Sequence, residues 1–340
     1  MQKEEIVILG AIAADLPIIL WGAPGTGKTA SIYDIAKKRG VHVETLIGST
    51  LDPVEVGGQP FLGKNNKIEL SPPPWARRIR ACLDKGQEAW LFLDELSCAP
   101  PSVQAALLRV IQERKVADID LEGCRILAAA NPADTAVDGG VLGAPTANRL
   151  AHVKWKPDVN GWIAGELSGW GKQRSKECAA AASRITAWIG KRNDALLDPP
   201  GDTRAGEAWP SPRSWSAAIK LLAFVPDKDA RFAVASCVGD AAAAEWAHYD
   251  AERDLPSPED ILSRKAKVPK RGDRAQASML GVVAAALMNH EKRAERISTA
   301  WSLLSSEMRP DVAIPIAKAL VMGDPDGEIP KAGLKLAERL

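Results

Sequence analysis

Apolar residues recur along the first 157 positions with two different periods, and the two alternate. Residues 2–14 place Ile6, Leu9 and Ala13 at helical spacing, and the run LPIILW at 16–21 has the unbroken hydrophobicity of a strand covered on both faces. TASIYDIAKKRG at 29–40 returns to helical periodicity and ends on a glycine suited to a C-cap, whereas VHVETLIGS at 41–49 alternates as a strand does. Prolines and glycines break the pattern over 52–74, but short strand-like runs flank the turn from Lys64 to Lys67, which predicts a hairpin over 59–70 with its tip in solvent. A helix over 75–86, a buried strand AWLFLDE at 89–95 and an amphipathic helix over 101–115 opened by proline come next. VADIDLEGCRILAAANP at 116–132 then gives a small hairpin and a further apolar strand. Strand, helix, strand, helix, strand in that order predicts an α/β domain with a parallel sheet sandwiched by helices.

Beyond Pro157 the strand pattern stops. Segments 175–197, 211–225 and 229–253, and later ones, are alanine-rich and helical, separated by connections containing proline and glycine. The basic stretch SRKAKVPKRGDR at 263–274 divides this half and reads as a solvated linker rather than a grip on nucleic acid. The expected organisation is an α/β nucleotide-binding core over 1–157, an all-helical lid over 158–255 and a C-terminal helical region over 256–340. Trp301 and the leucines of 275–340 read as helix packing.

Composition adds mainly exclusions. With 340 residues, 46% hydrophobic and 26% charged, the chain has the makeup of a soluble globular protein. A net charge of +1 supplies no field to draw in nucleic acid or an anionic membrane. MQKEEIVILGAIAAD lacks the basic start and cleavage site of a secretory signal, and MLGVVAAALM at 279–288 is too short to span a bilayer, so a cytoplasmic location is expected. Cys82, Cys98, Cys124, Cys178 and Cys237 are scattered and read as small buried apolar residues. His42, His152, His248 and His290 are equally dispersed, so no metal site is expected beyond the magnesium a nucleotide would bring.

The chemistry concentrates in three places. WGAPGTGKTA at 21–30 fits the phosphate-binding loop, Gly22-x-x-x-x-Gly27-Lys28-Thr29, and lies between a strand and a helix as that motif requires. Backbone N–H groups of Gly22, Ala23, Pro24, Gly25, Thr26, Gly27, Lys28, Thr29 and Ala30, proline excepted, would surround the phosphates of ATP; Lys28 would neutralise the β and γ groups, and Thr29 would hold Mg2+. LFLDE at 91–95 delivers two carboxylates to the same edge of the sheet: Asp94 would hold the metal through water, and Glu95 would polarise an attacking water. The competing reading makes Asp94 and Glu95 caps for the helix that begins near residue 100. Asn131, at the end of the next strand, carries an amide able to contact the γ-phosphate or orient that water.

These residues resemble the AAA+ ATPases, and within them the MoxR-like group, over roughly residues 15–225. The resemblance rests on GAPGTGKT (22–29) as Walker A, LFLDE (91–95) as Walker B, AAANP (128–132) as sensor 1, ANRL (147–150) as the arginine-finger segment and SPRSW (211–215) as sensor 2. It extends to APPSVQAALLRVIQERKV (99–116) and to the hairpins at 59–70 and 116–125. Asn148 stands where many members have aspartate, and Ser97 where many have asparagine. The resemblance implies ATP hydrolysis in a homo-oligomeric ring, typically a hexamer, with Arg149 reaching the γ-phosphate of the neighbouring subunit and Arg213 that of its own. Arg114 is a candidate for a second intersubunit arginine.

What the ring would act on stays open at this level. A protein partner to be remodelled, often one with a von Willebrand factor A domain in families of this type, is the leading expectation. The hairpin bearing Phe61 and Lys64 to Lys67 would then lie near the central opening; Phe61 either grips that partner or packs on the sheet. Asp118 and Asp120 near the tip of the second hairpin would repel a phosphate backbone, which weighs against a DNA-dependent ATPase. A nucleotide-gated scaffold that hardly turns over is the non-catalytic alternative.

Overall fold

The computed structural model describes residues 3–63, 66–132, 141–200, 206–251, 255–269, 272–288 and 291–324. They form two compact units, one up to Lys156 and one from Pro157 onward. No helix among the described residues is long and apolar enough to cross a membrane.

In the first unit a five-stranded sheet has the order β2-β5-β8-β1-β9, and every pairing is parallel. Its strands are β1 (Ile18–Trp21), β2 (His42–Ile47), β5 (Ala89–Asp94), β8 (Arg125–Ala130) and β9 (Ala151–Lys154). The central strands feed different cores with alternate residues. Ile18, Leu20, Trp90, Phe92, Leu127 and Ala129 pack with helices α1 (Lys3–Ala13) and α2 (Lys28–Arg39). Ile19, Leu91, Leu93, Ile126, Ala128 and Ala130 pack with α4 (Pro74–Leu83) and α5 (Pro101–Glu113). This double burial explains the continuous hydrophobic runs. The fold is that of a P-loop NTPase, with the sheet sandwiched by helices as expected. The short helix α3 (Pro53–Gly57) precedes the hairpin β3 (Gln59–Leu62)–β4 (Ile68–Ser71), and β6 (Lys115–Val116) pairs with β7 (Ile119–Asp120). Lys64, in the predicted hairpin turn, lies outside the described residues. Helix α6 (Ala144–Ala147) and strand β9 complete the unit; neither was foreseen, because each is only four residues long.

The hairpin stands apart from the five-stranded sheet as a sheet of its own. Phe61 is 46% exposed on that hairpin. Pro60, Leu62, Ile68 and Leu70 fall on one face by the antiparallel register, and Leu62 and Ile68 are 66% and 78% exposed.

The second unit is helical: α7 (Val159–Ser168), α8 (Lys176–Lys191), α9 (Pro212–Leu222), α10 (Ala230–Val238), α11 (Asp240–Ala251), α12 (Pro258–Leu262), α13 (Gly272–Leu287), α14 (Arg293–Glu307) and α15 (Pro310–Gly323). One hydrophobic core runs from Trp162 to Leu320 through these helices. The predicted helix over 229–253 is broken at Gly239, whose φ of 85° and ψ of 158° only glycine adopts readily. A Cβ there would also meet the Ala208 carbonyl oxygen at 2.6 Å. Glu166, buried in α7, accepts from Arg174 Nη2 (2.6 Å), Ser216 Oγ (2.5 Å) and Trp170 Nε1 (3.0 Å), so its charge is fully partnered. Of the cysteines, expected to be buried, only Cys124 is; burial pushes its thiol up to about 12. The others are half-exposed, and none of the five is in a disulfide.

On β2, Glu44 accepts from Arg78 Nε (2.8 Å) and Nη2 (2.7 Å) and lies 2.7 Å from His42 Nε2. Burial alone would raise its pKa, but the hydrogen bonds from Arg78 and His42 outweigh it and hold the carboxyl below its ordinary 4.5. A depressed carboxyl pKa contributes stability above its unfolded value and loses it as the pH falls through the folded one. The urea midpoint of Arg78→Ala therefore lies below that of the wild type at pH 7, and the gap closes as the pH is lowered through the acid range.

Candidate functional site

The carboxyl ends of β1, β5 and β8 meet at one edge of the sheet, because these strands are parallel and neighbours in the order β5-β8-β1. In open α/β sheets that edge is where ligands sit. After Trp21 the chain turns through Gly22 to Gly27 into α2. Gly27 is the N-cap at φ 89° and ψ 13°, and no side chain caps the helix. The first-turn N–H groups, through Ala30, lack intrahelical acceptors and face the positive end of the helix dipole, a cradle for an anion. Thr26 Oγ1 donates to Ala23 O at 2.8 Å, and Trp155 Nε1 donates to Thr26 O at 3.1 Å, so the loop is braced from within and from beyond β9.

Lys28 is only 7% exposed. Its ammonium donates to Gly22 O (2.5 Å), Ala23 O (3.0 Å) and Asn131 Oδ1 (2.9 Å). Since lysine can only donate, the Asn131 amide must turn its oxygen toward Lys28 and its nitrogen away. Phosphate oxygens entering the loop would supply the same ammonium with stronger, charged acceptors. Thr29 Oγ1 donates to Asp94 Oδ2 at 2.8 Å, and Asp94 Oδ1 accepts from the Glu95 N–H at 3.0 Å. A hydroxyl and a carboxylate side by side are oxygen donors of the kind magnesium takes alongside water and phosphate, so the residues present fit that ion. No cluster of three or more His, Cys, Asp or Glu able to hold a metal by itself occurs among the described residues.

Glu95 is exposed and sits at φ 53° and ψ 36°, a left-handed conformation uncommon for a non-glycine residue. The capping alternative does not hold: α5 begins at Pro101 with Pro100 as its N-cap, and neither acid caps it. Ser49 Oγ, in the turn after β2, donates to Glu95 Oε2 at 2.5 Å. Gly48 permits this approach, since a Cβ there would lie 2.7 Å from Glu95 O. Ser97 is fully buried and donates to Asn131 O at 3.3 Å, linking the turn after β5 to the end of β8. Sequence reasoning missed Ser49 and Trp155, because each joins the site only through tertiary contact.

Among the described residues, two predicted arginines form no hydrogen bond or ion pair with this cluster. Arg149 is exposed, and donates from Nε to Gln112 Oε1 (3.1 Å) and from Nη1 to Pro145 O (2.7 Å), partners on α5 and α6. Arg213 belongs to the second unit, exposed at the second position of α9, whose start is fixed by the reciprocal capping of Ser211 and Ser214. Arg114 is largely buried, ends α5 in a left-handed conformation and pairs with Asp15 at 3.5 Å, which gives it a role inside the fold rather than at a surface between subunits.

Residues 17–150 match the family model for the AAA domain, dynein-related subfamily. Protein MoxR of Methylorubrum extorquens is 29% identical over 113 residues, a match covering 33% of this chain and 31% of that protein. Protein NorQ of Paracoccus denitrificans is 29% identical over 130 residues, covering 38% of this chain and 46% of its own. The chain thus matches about a third to a half of the length of these curated relatives. Among solved structures, the Thermotoga maritima RuvB Holliday junction branch migration motor shares 15% identity over 89% of this chain and 85% of its own, at a TM-score of 0.37 that carries no argument.

Removing the Lys28 ammonium takes the strongest cation from the phosphate cradle. Affinity of Lys28→Ala for a fluorescent ATP analogue falls by roughly 30-fold, the equivalent of about 2 kcal/mol for a charge-assisted hydrogen-bond set. Titration of the analogue, with circular dichroism as the check on folding, measures it.

Proposed function

Residues 17–150 form an AAA+ ATPase domain of the MoxR-like family, and from that premise we propose that this chain is the subunit of a ring, a hexamer in the simplest case, that hydrolyses ATP at its subunit seams and remodels a protein partner. The observation that carries the reading is a division of labour within the first unit. Lys28, Thr29, Asp94, Glu95 and Asn131 converge on one sheet edge, whereas Arg149 is held at the surface by Gln112 and Pro145. A set with every group except the transition-state cation is completed by a neighbour that supplies one, as arginine fingers do.

In this reading Thr29 and Asp94 would hold Mg2+, which when bound would offset the charge of the phosphates. The loop N–H groups and Lys28 orient the triphosphate. Glu95 accepts hydrogen bonding from the attacking water once its carboxylate exchanges the Ser49 hydroxyl for that water. The Asn131 amide nitrogen, turned from Lys28, contacts the γ-phosphate or the water. Arg213 senses the γ-phosphate from the helical unit. The partner is a polypeptide rather than DNA: the β3–β4 hairpin offers an apolar face, and the β6–β7 turn carries Asp118 beside Asp120. A protein with a von Willebrand factor A domain is the partner class the family resemblance suggests, and the cytoplasm is its setting.

Arg149→Ala lowers ATP turnover by about a thousand-fold or more, the scale of a lost arginine finger, with analogue affinity unchanged. Glu95→Gln binds ATP and stops turnover; a scaffold that does not depend on hydrolysis would show neither loss. Mixing the two inactive proteins is the sharper assay, because a seam with Glu95 from one and Arg149 from the other is intact. Recovery of part of the activity on mixing supports shared sites, and no recovery refutes them. Stimulation by DNA that weakens steeply with salt would overturn the protein-partner assignment.

A further inference from the structure

Trp21 is the last residue of β1, immediately before the phosphate loop. Its indole Nε1 donates to His152 Nδ1 at 2.9 Å, edge to edge, with ring centroids 5.9 Å apart and planes 15° from parallel. On its other side, His152 Nε2 lies 2.8 Å from Ala147 O. An indole N–H only donates and a carbonyl only accepts, so the imidazole must carry its proton on Nε2 and use both nitrogens. Ala147 ends α6, and Arg149 follows two residues later. A four-residue helix has no stability of its own. Its pose comes from tertiary contacts: Gln104 Oε1 accepting from Gly143 N at 2.9 Å at its start, and His152 at its end.

We propose that His152 is a positioning residue that ties the strand entering the phosphate loop to the turn carrying Arg149, so that occupancy of one site sets the reach of the arginine toward the next. The inference rests on the ring reading above and adds a route between consecutive sites. The link is short: one hydrogen-bonded, nearly coplanar ring pair spans from the residue before Gly22 to the residue two before Arg149. A shift of the loop on taking up phosphate moves Trp21, and the imidazole passes that shift to the Ala147 carbonyl. In the ring, this arginine serves the neighbour's nucleotide, so the link connects two different active sites.

The test compares turnover and ATP-analogue affinity of the full chain in His152→Ala, His152→Gln, Trp21→Phe and the Trp21→Phe/His152→Ala double variant, with Arg149→Ala alongside. Loss of one such hydrogen-bonded contact lowers kcat by about five-fold in His152→Ala and in Trp21→Phe, with affinity unchanged and no further loss in the double variant. Glutamine, whose amide oxygen can accept from Trp21 while its nitrogen donates to Ala147, restores most of the rate. An unchanged kcat in either single variant, affinity falling together with kcat, or glutamine no better than alanine overturns the proposal. Should His152→Ala fail to fold, Trp21→Phe, which keeps an aromatic side chain and removes the N–H donor with its five-membered ring, decides alone. If Arg149→Ala loses turnover while Trp21→Phe does not, this inference fails and the ring reading stands; if Arg149→Ala is as active as wild type, both fall.

Discussion

An ammonium that is only 7% exposed must be surrounded by oxygen, and much of the first unit is arranged to do this for Lys28. Its acceptors come from separate places in the sequence: the carbonyls of Gly22 and Ala23 after β1, and the amide of Asn131 after β8. They meet because β1 and β8 are parallel neighbours with Trp21 opposite Ala130, which ends both strands at the same level. The sheet order therefore follows into chemistry. Inserting another strand between β1 and β8 would take Asn131 out of reach of Lys28. The alanines at 128–130 in β8, buried and small, let helices approach both faces at that point without displacing the strand.

A second constraint operates one strand further along. Asp94 and Glu95 are adjacent in sequence, so an extended backbone would send their side chains to opposite faces. The turn at Glu95 into left-handed φ and ψ re-aims the second carboxylate, and local strain of order 1–3 kcal/mol is the usual cost of such a conformation. The surroundings hold it: the Glu95 N–H is donated to Asp94, Cys98 N donates to Glu95 O at 2.9 Å, and Gly48 packs against that carbonyl. The strained turn leaves this carboxylate exposed and bound to a serine hydroxyl rather than packed in the core.

The parts legible in the sequence were those fixed by local pattern. Strands β1, β5 and β8 announced themselves because burial on both faces leaves no polar position in the run, and Gly40 marked the end of α2, where it sits at φ 69° and returns its N–H to Ala36 and Lys37. Residues placed by folding were not legible. AHVK, the edge strand β9, alternates over too few positions to stand out, yet it carries the histidine that contacts Trp21. Ser49 is an ordinary turn serine until β2 and β5 pair and set its loop beside Glu95. Gly239 looked like a tolerated helical glycine because its conflict is with Ala208, far away in sequence. The half-exposed cysteines show the opposite error, in which residue type was allowed to stand for environment.

The same contrast bears on how the first unit divides its surface. Tryptophans serve the interior: Trp75, Trp90 and Trp155 are each at most 6% exposed and give their indole N–H groups to Glu55 O, Glu88 and Thr26 O. Leu62 and Ile68 do the reverse and stand in solvent on one face of a two-stranded hairpin. A hairpin of that size gains little stability from itself, and an apolar face left in water adds nothing to it. That face is explicable if it is covered during the working cycle, and its apolar character selects a surface able to exclude water over a polyanionic backbone. Lys28, Asp94, Glu95 and Asn131 on one edge, Arg149 braced on the surface and an uncovered apolar hairpin make a domain whose charged cluster and apolar surface lie in different places.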